Sequence, residues 1–160
     1  MWITYTFESR AMMGEETVTI LIPHPHQVQG SQYTLEDLYQ KRRKLPALFV
    51  MGDEGTENNW WMRMSFAEGD VHRDVCAVIC IRGMAVNEKS LRFIKEELPV
   101  LMCAQFPLDA DALVWMGWKG TEAFAPSLSD GSYAALYKAQ SNDSTSEIAQ
   151  AIHLTAGKGS

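Results

Sequence analysis

The stretch VCAVICIRG (residues 75–83) decides the fold class, because it is apolar on both of the alternating sides that a β-strand presents. Such a strand is typical of a sheet that is covered on both faces. LPALFVMG (45–52) and ALVWMGW (112–118) have the same character. Together the three segments predict an α/β protein with a mainly parallel central sheet.

The segments at the N-terminus predict an antiparallel hairpin that precedes this sheet. WITYTFES (2–9) alternates apolar and polar residues, and ETVTILIP (16–23) alternates before it becomes apolar. Gly14 lies between them, which is typical of a strand–turn–strand unit.

Two segments between and after the strands have helical character. In NEKSLRFIKEELPVLMCAQFP (87–107), apolar residues recur at helical spacing, Asn87 is suited to cap the helix, and Pro107 stops it. SNDSTSEIAQAIHL (141–154) begins with capping residues and carries a second apolar stripe. We therefore expect helices on both faces of the sheet and one domain over the 160 residues.

Charge argues against a nucleic-acid or membrane partner. The net charge is −6, and the densest basic run, Lys41 to Lys44, is offset by Glu36 and Asp37. The N-terminus lacks the basic and apolar regions of a secretory signal, and no apolar run approaches the roughly 20 residues that span a bilayer. We expect a cytoplasmic protein.

The cysteines and histidines predict neither disulfides nor a metal site. The chain has three cysteines, Cys76, Cys80 and Cys103, and the first two would share one face of a strand, too far apart to bond. An odd number of apolar-flanked thiols suits a reducing compartment. His24 and His26 lie in a Pro-flanked loop without a third ligand, so we expect no metal and no cofactor.

A resemblance to a known family adds to this interpretation. In LPALFVMGDEGTENNWWMR (45–63), Pro46 leads an apolar strand and Trp61 follows a loop rich in Gly and Asn. The chain resembles the tributyrin-esterase and S-formylglutathione-hydrolase group of α/β-hydrolases here. Residues 75–83 resemble the family's next strand, and FIKEELPVLMCAQFP (93–107) resembles its helix. The resemblance covers about residues 2 to 107.

The resemblance implies a truncated α/β-hydrolase-like fold and a serine esterase site. The family places its nucleophile on a strained strand-to-helix turn, the elbow, and binds the oxyanion with two backbone N–H groups. Asp53 stands in the loop where the family has His-Gly, and Asp130 would supply the other N–H group. Trp60 and Trp61 would line an acyl pocket, although core packing under a loop is the other interpretation.

Two registers are open after Pro107. In the first, FAPSLSDGSYAAL lies over the elbow, Ser129 is the nucleophile and Gly131 follows it, but Pro126 then lies inside the strand that leads to it. In the second, ALVWMGW is the elbow strand, Lys119 stands where the serine should be, and SYAALYKA is the next strand. Lys119 could there be an amine with a depressed pKa or an ordinary surface lysine.

In both registers the family's acid and histidine belong to strands beyond residue 160. None of the chain's histidines matches the family position: His24, His26, His72 and His153. A serine without a general base is a weak nucleophile. We therefore expect a non-catalytic binding or interaction module, and the alternative is a short-acyl carboxylesterase with Ser129 as nucleophile, alone or completed by another chain. The expected partners are a small ester or acyl ligand and a second copy paired along an exposed sheet edge.

Overall fold

The computed structural model describes residues 2–23, 44–52, 70–71, 74–117, 121–139 and 144–158. Within these ranges, the strands form one six-stranded sheet with the order β1-β2-β4-β3-β5-β6. The strands are β1 (Trp2–Ser9), β2 (Gly14–Leu21), β3 (Leu45–Met51), β4 (Ala77–Ile81), β5 (Leu108–Gly117) and β6 (Ala135–Lys138). β2 is antiparallel to β1 and to β4, whereas β4, β3, β5 and β6 run parallel to one another. The predicted hairpin and parallel centre are confirmed.

The helices follow the predicted segments. They are α1 (Glu88–Arg92), a π-helical turn (Phe93–Glu97), α2 (Leu98–Gln105), a 3₁₀ turn (Glu122–Phe124), α3 (Ala125–Leu128) and α4 (Ser144–Lys158). Asn87 caps α1 as expected, since its Oδ1 accepts the Ser90 N–H at 3.0 Å while the Ser90 hydroxyl accepts the Asn87 N–H. The π-helical turn (Phe93–Glu97) lies directly before Leu98, whose N–H donates to the Phe93 carbonyl five residues earlier. The next residue, Pro99, has no N–H to donate to the carbonyl of Lys95.

Two hydrophobic cores lie on the two faces of the sheet, because successive strand residues point in opposite directions. Phe49 and Trp115 point to the first core, which α2 and α3 cover through buried residues such as Met102 and Leu128. The second core holds the alternate strand residues and is covered by α4: Leu48, Val50, Val78, Cys80, Val114, Met116, Ile148, Ala151 and Ile152. Helices therefore lie on both faces, as the strand composition predicted.

The structure corrects the start of the fifth strand. β5 begins at Leu108, four residues before the predicted strand segment 112–118, so Asp109 and Asp111 lie within the strand. Leu45 of β3 pairs with Leu108, but Ala47 already pairs with Leu113, so residues 109–112 bulge out of the ladder. The sequence Asp-Ala-Asp-Ala (109–112) does not by itself predict a bulge.

The hairpin turn is bound to the helix layer. Met13 has a φ of 60° in this turn. The Glu97 carboxylate accepts hydrogen bonds from the Ser9 hydroxyl and from the Arg10 N–H, the latter at 2.8 Å. No helix among the described residues combines the length and the apolar character needed to cross a membrane.

Candidate functional site

The strand order places a crevice between β3 and β5. From β3 the chain passes to β4 on one side of the crevice, and from β5 it passes to β6 on the other side. In an open α/β sheet the connections diverge at such a point, and ligands bind there beyond the carboxyl ends of the strands. Met51 and Gly52 end one wall of this crevice, and Gly117 ends the other.

The carboxyl end of β5 is tightly packed. A Cβ atom added at Gly117 would lie 2.8 Å from Cζ3 of the buried Trp115 ring, so only glycine fits there without movement of the ring. The Gly117 carbonyl accepts the Ala139 N–H at 2.9 Å, and a helical segment begins at Glu122. The chain therefore passes from a strand that ends at Gly117 to a helical segment, and residues 118–120 between them lie outside the described residues.

This arrangement is the one that the second register describes. Its two predictions, that ALVWMGW forms the strand before the turn and that SYAALYKA contains the next strand, are confirmed by β5 and β6. Lys119, the residue that this register places at the elbow, lies outside the described residues, as do Asp53, Trp60 and Trp61. Their roles stay predictions.

Ser129 lies at the other end of the sheet. The first register expects a strand before Ser129, and this is wrong, because Ala125–Leu128 is helical. Pro126 fits the first turn of a helix, where its missing N–H has no partner to bond. The turn that contains Ser129 precedes β6, and β6 is parallel to β5. This turn therefore lies at the amino ends of the two strands, whereas the crevice lies at their carboxyl ends.

The surroundings of Ser129 are those of a surface turn. Ser129 is exposed, and its hydroxyl donates to the Pro126 carbonyl at 3.0 Å. Its neighbour Asp130 forms an ion pair with Lys95, with 2.7 Å between Oδ1 and Nζ. The hydrogen bond from Lys95 and the charge of its amine hold the pKa of the Asp130 carboxyl below its usual value.

His153 is not close to Ser129. His153 lies on α4, on the second face of the sheet, and its Nδ1 is 3.1 Å from Oδ1 of Asp74. Ser129 follows Leu128, which belongs to the core on the first face. The sheet therefore separates the serine from this histidine. His24, His26 and His72 lie outside the described residues.

A buried carboxylate near the crevice was not foreseen from the sequence. Glu147 on α4 is only 3% exposed and accepts a hydrogen bond of 2.9 Å from the Tyr137 hydroxyl. Desolvation, followed by the hydrogen bond and charge of Glu147, raises the pKa of Tyr137 to about 12. Lys138, the next residue, pairs with Gly117 at the carboxyl edge. The position of Glu147 on the same helical face as buried Ala151 was the available sequence signal.

Trp115 carries an unusual polar group beside the turn. Its indole Nε1 is buried, and no acceptor lies within hydrogen-bonding distance of it in the described part of the chain. A buried donor without a partner is rare in proteins. No three His, Cys, Asp or Glu side chains among the described residues come together as a metal-binding group would require.

The fold is similar to that of solved α/β-hydrolase structures. No family model matches the sequence. No curated protein matches it either. Solved structures do: the fluorophosphonate-binding serine hydrolase F of Staphylococcus aureus superposes over 85% of this chain with a TM-score of 0.64 and 19% identity.

Two further structures extend the comparison. S-formylglutathione hydrolase of Staphylococcus aureus superposes over 95% of this chain with a TM-score of 0.61 and 18% identity. A ferulic acid esterase superposes over 98% of it with a TM-score of 0.62 and 17% identity. This chain spans 55%, 66% and 68% of the length of the three proteins. The resemblance inferred from residues 2–107 is confirmed at the level of the fold.

Proposed function

We propose that this chain is a binding or interaction module built on the esterase-like fold, and that it does not cleave esters with a serine of its own. The position of Ser129 carries the proposal. This serine lies on a helix-to-strand turn at the amino ends of the parallel strands, whereas the crevice opens at their carboxyl ends.

The chemistry around Ser129 supports this proposal. A serine becomes a nucleophile when a positioned base takes its proton. The Ser129 hydroxyl instead donates to a backbone carbonyl, and the adjacent Asp130 carboxylate is held by Lys95. The lowered pKa of Asp130 makes this carboxylate a poor proton acceptor at neutral pH.

The crevice between β3 and β5 is the proposed ligand site. Its described edge contains Met51, Gly52 and Gly117, where β3 and β5 end. A small ester or acyl compound offers a carbonyl oxygen together with an apolar chain. We propose Trp60, Trp61, Asp53 and Lys119 as further contacts, because their segments follow β3 and β5.

The test measures binding and turnover with the same compound. Ethyl butyrate is mixed with the purified chain, and saturation-transfer NMR reports binding while the ester and acid signals report hydrolysis. We expect binding without loss of the ester, and no labelling of the chain by a fluorophosphonate probe. Ser129→Ala should change neither result, and Ser127→Ala is the matched control on the same helix.

The opposite outcome supports a second candidate function. Labelling that is lost in Ser129→Ala and kept in Ser127→Ala would establish a carboxylesterase with Ser129 as nucleophile and would overturn the binding module. The exposure of Ser129 favours this candidate in one respect, since a base from another chain could reach its hydroxyl. Absence of both binding and labelling would leave neither function standing.

A second copy of the chain is the proposed macromolecular partner. In the described part of the sheet, β6 is the last strand and pairs only with β5. Leu136 and Tyr137 are half-buried on this strand, and an open strand edge favours pairing with another chain. Light scattering coupled to size exclusion at micromolar concentration should give a dimer mass. A strict monomer, with amide exchange in β6 independent of concentration, would contradict the dimer.

A further inference from the structure

A groove lies at the amino end of the sheet, away from the crevice. It has a volume of about 470 Å³, within the range of small-molecule sites. One wall is α2, the other wall is the bulged start of β5, and the turn before β6 closes one end. The lining residues are Pro99, Val100, Cys103, Ala110, Asp111, Leu113 and Ser132.

The bulge in β5 creates the groove. Residues 109–112 leave the ladder between Leu108 and Leu113, which moves the backbone of the strand away from β3. The Asp109 carboxylate accepts the Asp111 N–H at 2.9 Å and so fixes the shape of the bulge. The groove is therefore a feature of an ordered strand, and its wall does not depend on a loop.

The floor of the groove is apolar, and one of its exposed lining side chains, Val100, is apolar as well. Leu113 is buried, Cys103 is half-buried, and Val100 is 67% exposed although it lies in the middle of α2. An aliphatic side chain that is largely exposed beside a concave surface offers contact area to a ligand. The groove can therefore accept an apolar body.

The charges around the groove are negative. Asp111 lines it, Asp109 lies on the same bulge, and Glu96 is exposed one helical turn before Val100. Lys95 also lies near the turn before β6, with its Cγ close to Gly131, but its amine is bound to Asp130 at 2.7 Å. An anion would meet uncompensated carboxylates here, whereas a cation would be attracted.

We propose that this groove binds small organic cations that carry an apolar body, such as aryl or alkyl ammonium compounds. The ammonium group lies against the Asp111 carboxylate, and the apolar body lies on Val100, Leu113 and Cys103. This site is separate from the crevice between β3 and β5, and it does not depend on whether the protein cleaves esters.

Cys103 offers a direct readout, because Cys76 and Cys80 are fully buried. The full-length chain is treated with a trimethylammonium-ethyl and with a sulfonatoethyl methanethiosulfonate, which form a disulfide with the thiol and release methanesulfinate. Mass spectrometry follows the adduct at Cys103. After each rate is divided by that of N-acetylcysteine, we expect the cationic reagent to react on the order of tenfold faster than the anionic one.

Two variants distinguish the effect of the groove on the rate preference from the effect of the protein's overall negative charge. Asp111→Asn should remove most of the preference for the cation. Glu15→Gln, on the exposed hairpin far from the groove, lowers the negative charge by the same amount and should leave the preference unchanged. Equal effects of the two variants would assign the preference to the overall charge and would overturn the proposal.

A protection experiment tests the apolar body. Millimolar benzyltrimethylammonium should slow the alkylation of Cys103 by neutral N-ethylmaleimide several-fold, while tetramethylammonium and benzenesulfonate should not. Equal protection by benzenesulfonate would show an apolar groove without charge selection, and absence of protection by all three would show that the groove binds none of them. Either result contradicts the proposal.

Discussion

The two ends of the helical segment between β5 and β6 differ in construction. On one side, Gly117 ends a buried strand and packs against the Trp115 ring. The turn at Ser129 to Gly131 follows a four-residue helix and is fastened by the surface ion pair of Lys95 and Asp130. The segment Ser-Leu-Ser-Asp-Gly (127–131) places a serine between small residues, yet it is Gly117 that ends a parallel strand before a helical segment.

We infer from this comparison that the position of a turn in the sheet, and not a short sequence motif, determines whether the turn can contribute to a ligand site. A serine flanked by small residues satisfies the local steric requirement of an elbow. Only the carboxyl end of a parallel strand also brings it to the crevice where the chain connections diverge. Three predictions sharpen this difference, in order of decreasing effect.

The largest difference is expected from adding one methyl group to each turn. Gly117→Ala should lower the free energy of unfolding by about 1–3 kcal/mol, since the new Cβ meets a buried ring. Gly131→Ala should cost about 0.5 kcal/mol or less, because its Cβ meets the flexible side chain of Lys95 at 3.1 Å. Urea unfolding of both variants measures the contrast.

A double variant provides the control for this steric argument. Trp115→Phe removes the six-membered part of the indole that contains Cζ3, so adding Gly117→Ala to it should cost less than in the wild-type chain. An unchanged cost in the Trp115→Phe background would show that the ring is not the reason.

The pair of Tyr137 and Glu147 gives the next largest effect. Tyr137→Phe leaves the buried Glu147 carboxylate without this donor, and should lower the stability by about 1–2 kcal/mol at neutral pH. The folded pKa of Tyr137 is raised from 10.0 to about 12. The folded state therefore holds this proton more tightly, and the associated stability is present below pH 10 and is lost as the pH rises toward 12.

Urea midpoints between pH 9 and 12 measure this loss. The decline above pH 10 should be shallower in Tyr137→Phe than in the wild-type chain. Glu147→Gln keeps the volume and removes the charge, so it should also flatten the decline. Parallel curves for all three proteins would contradict the assigned role of Glu147.

The smallest effect belongs to the surface ion pair. The Asp130 pKa is lowered from its usual 3.8 by Lys95, so its contribution to stability is present above this value and is lost as the pH falls through the folded pKa. Lys95→Met should raise the pKa of Asp130 toward 3.8, as carboxyl ¹³C NMR would report. High salt should move the wild-type value in the same direction. A pKa that stays low in Lys95→Met would exclude Lys95 as the cause.

The buried strands and the long helix were predictable because their signals are local. Continuous apolar runs gave β3, β4 and the core of β5, and Asn87 with the helical spacing gave the start of α1. Pro126 was the local signal that FAPSL is no central strand, and the structure uses it inside a helix.

The rest depends on contacts between distant residues. The bulge at residues 109–112 follows from the pairing of β5 with β3, and the burial of Glu147 follows from the docking of α4 against β6. For the candidate site, the sequence left two registers open after Pro107, and β5 and β6 agree with the register in which ALVWMGW is a strand. The residues that complete the crevice belong to the segments after β3 and β5. A local pattern of Gly, Asn and Trp does not specify which contacts such segments make.

The carboxylate of Glu97 has a consequence for how the chain folds. Its hydrogen bond to Arg10 joins residues that are 87 positions apart, so it forms only after the helix layer has settled on the sheet. The hairpin can close by itself, but its turn gains full protection from hydrogen exchange only once β5 and the helices are in place. We therefore expect the first and the central parts of the chain to unfold as one cooperative unit, which native-state hydrogen exchange would measure.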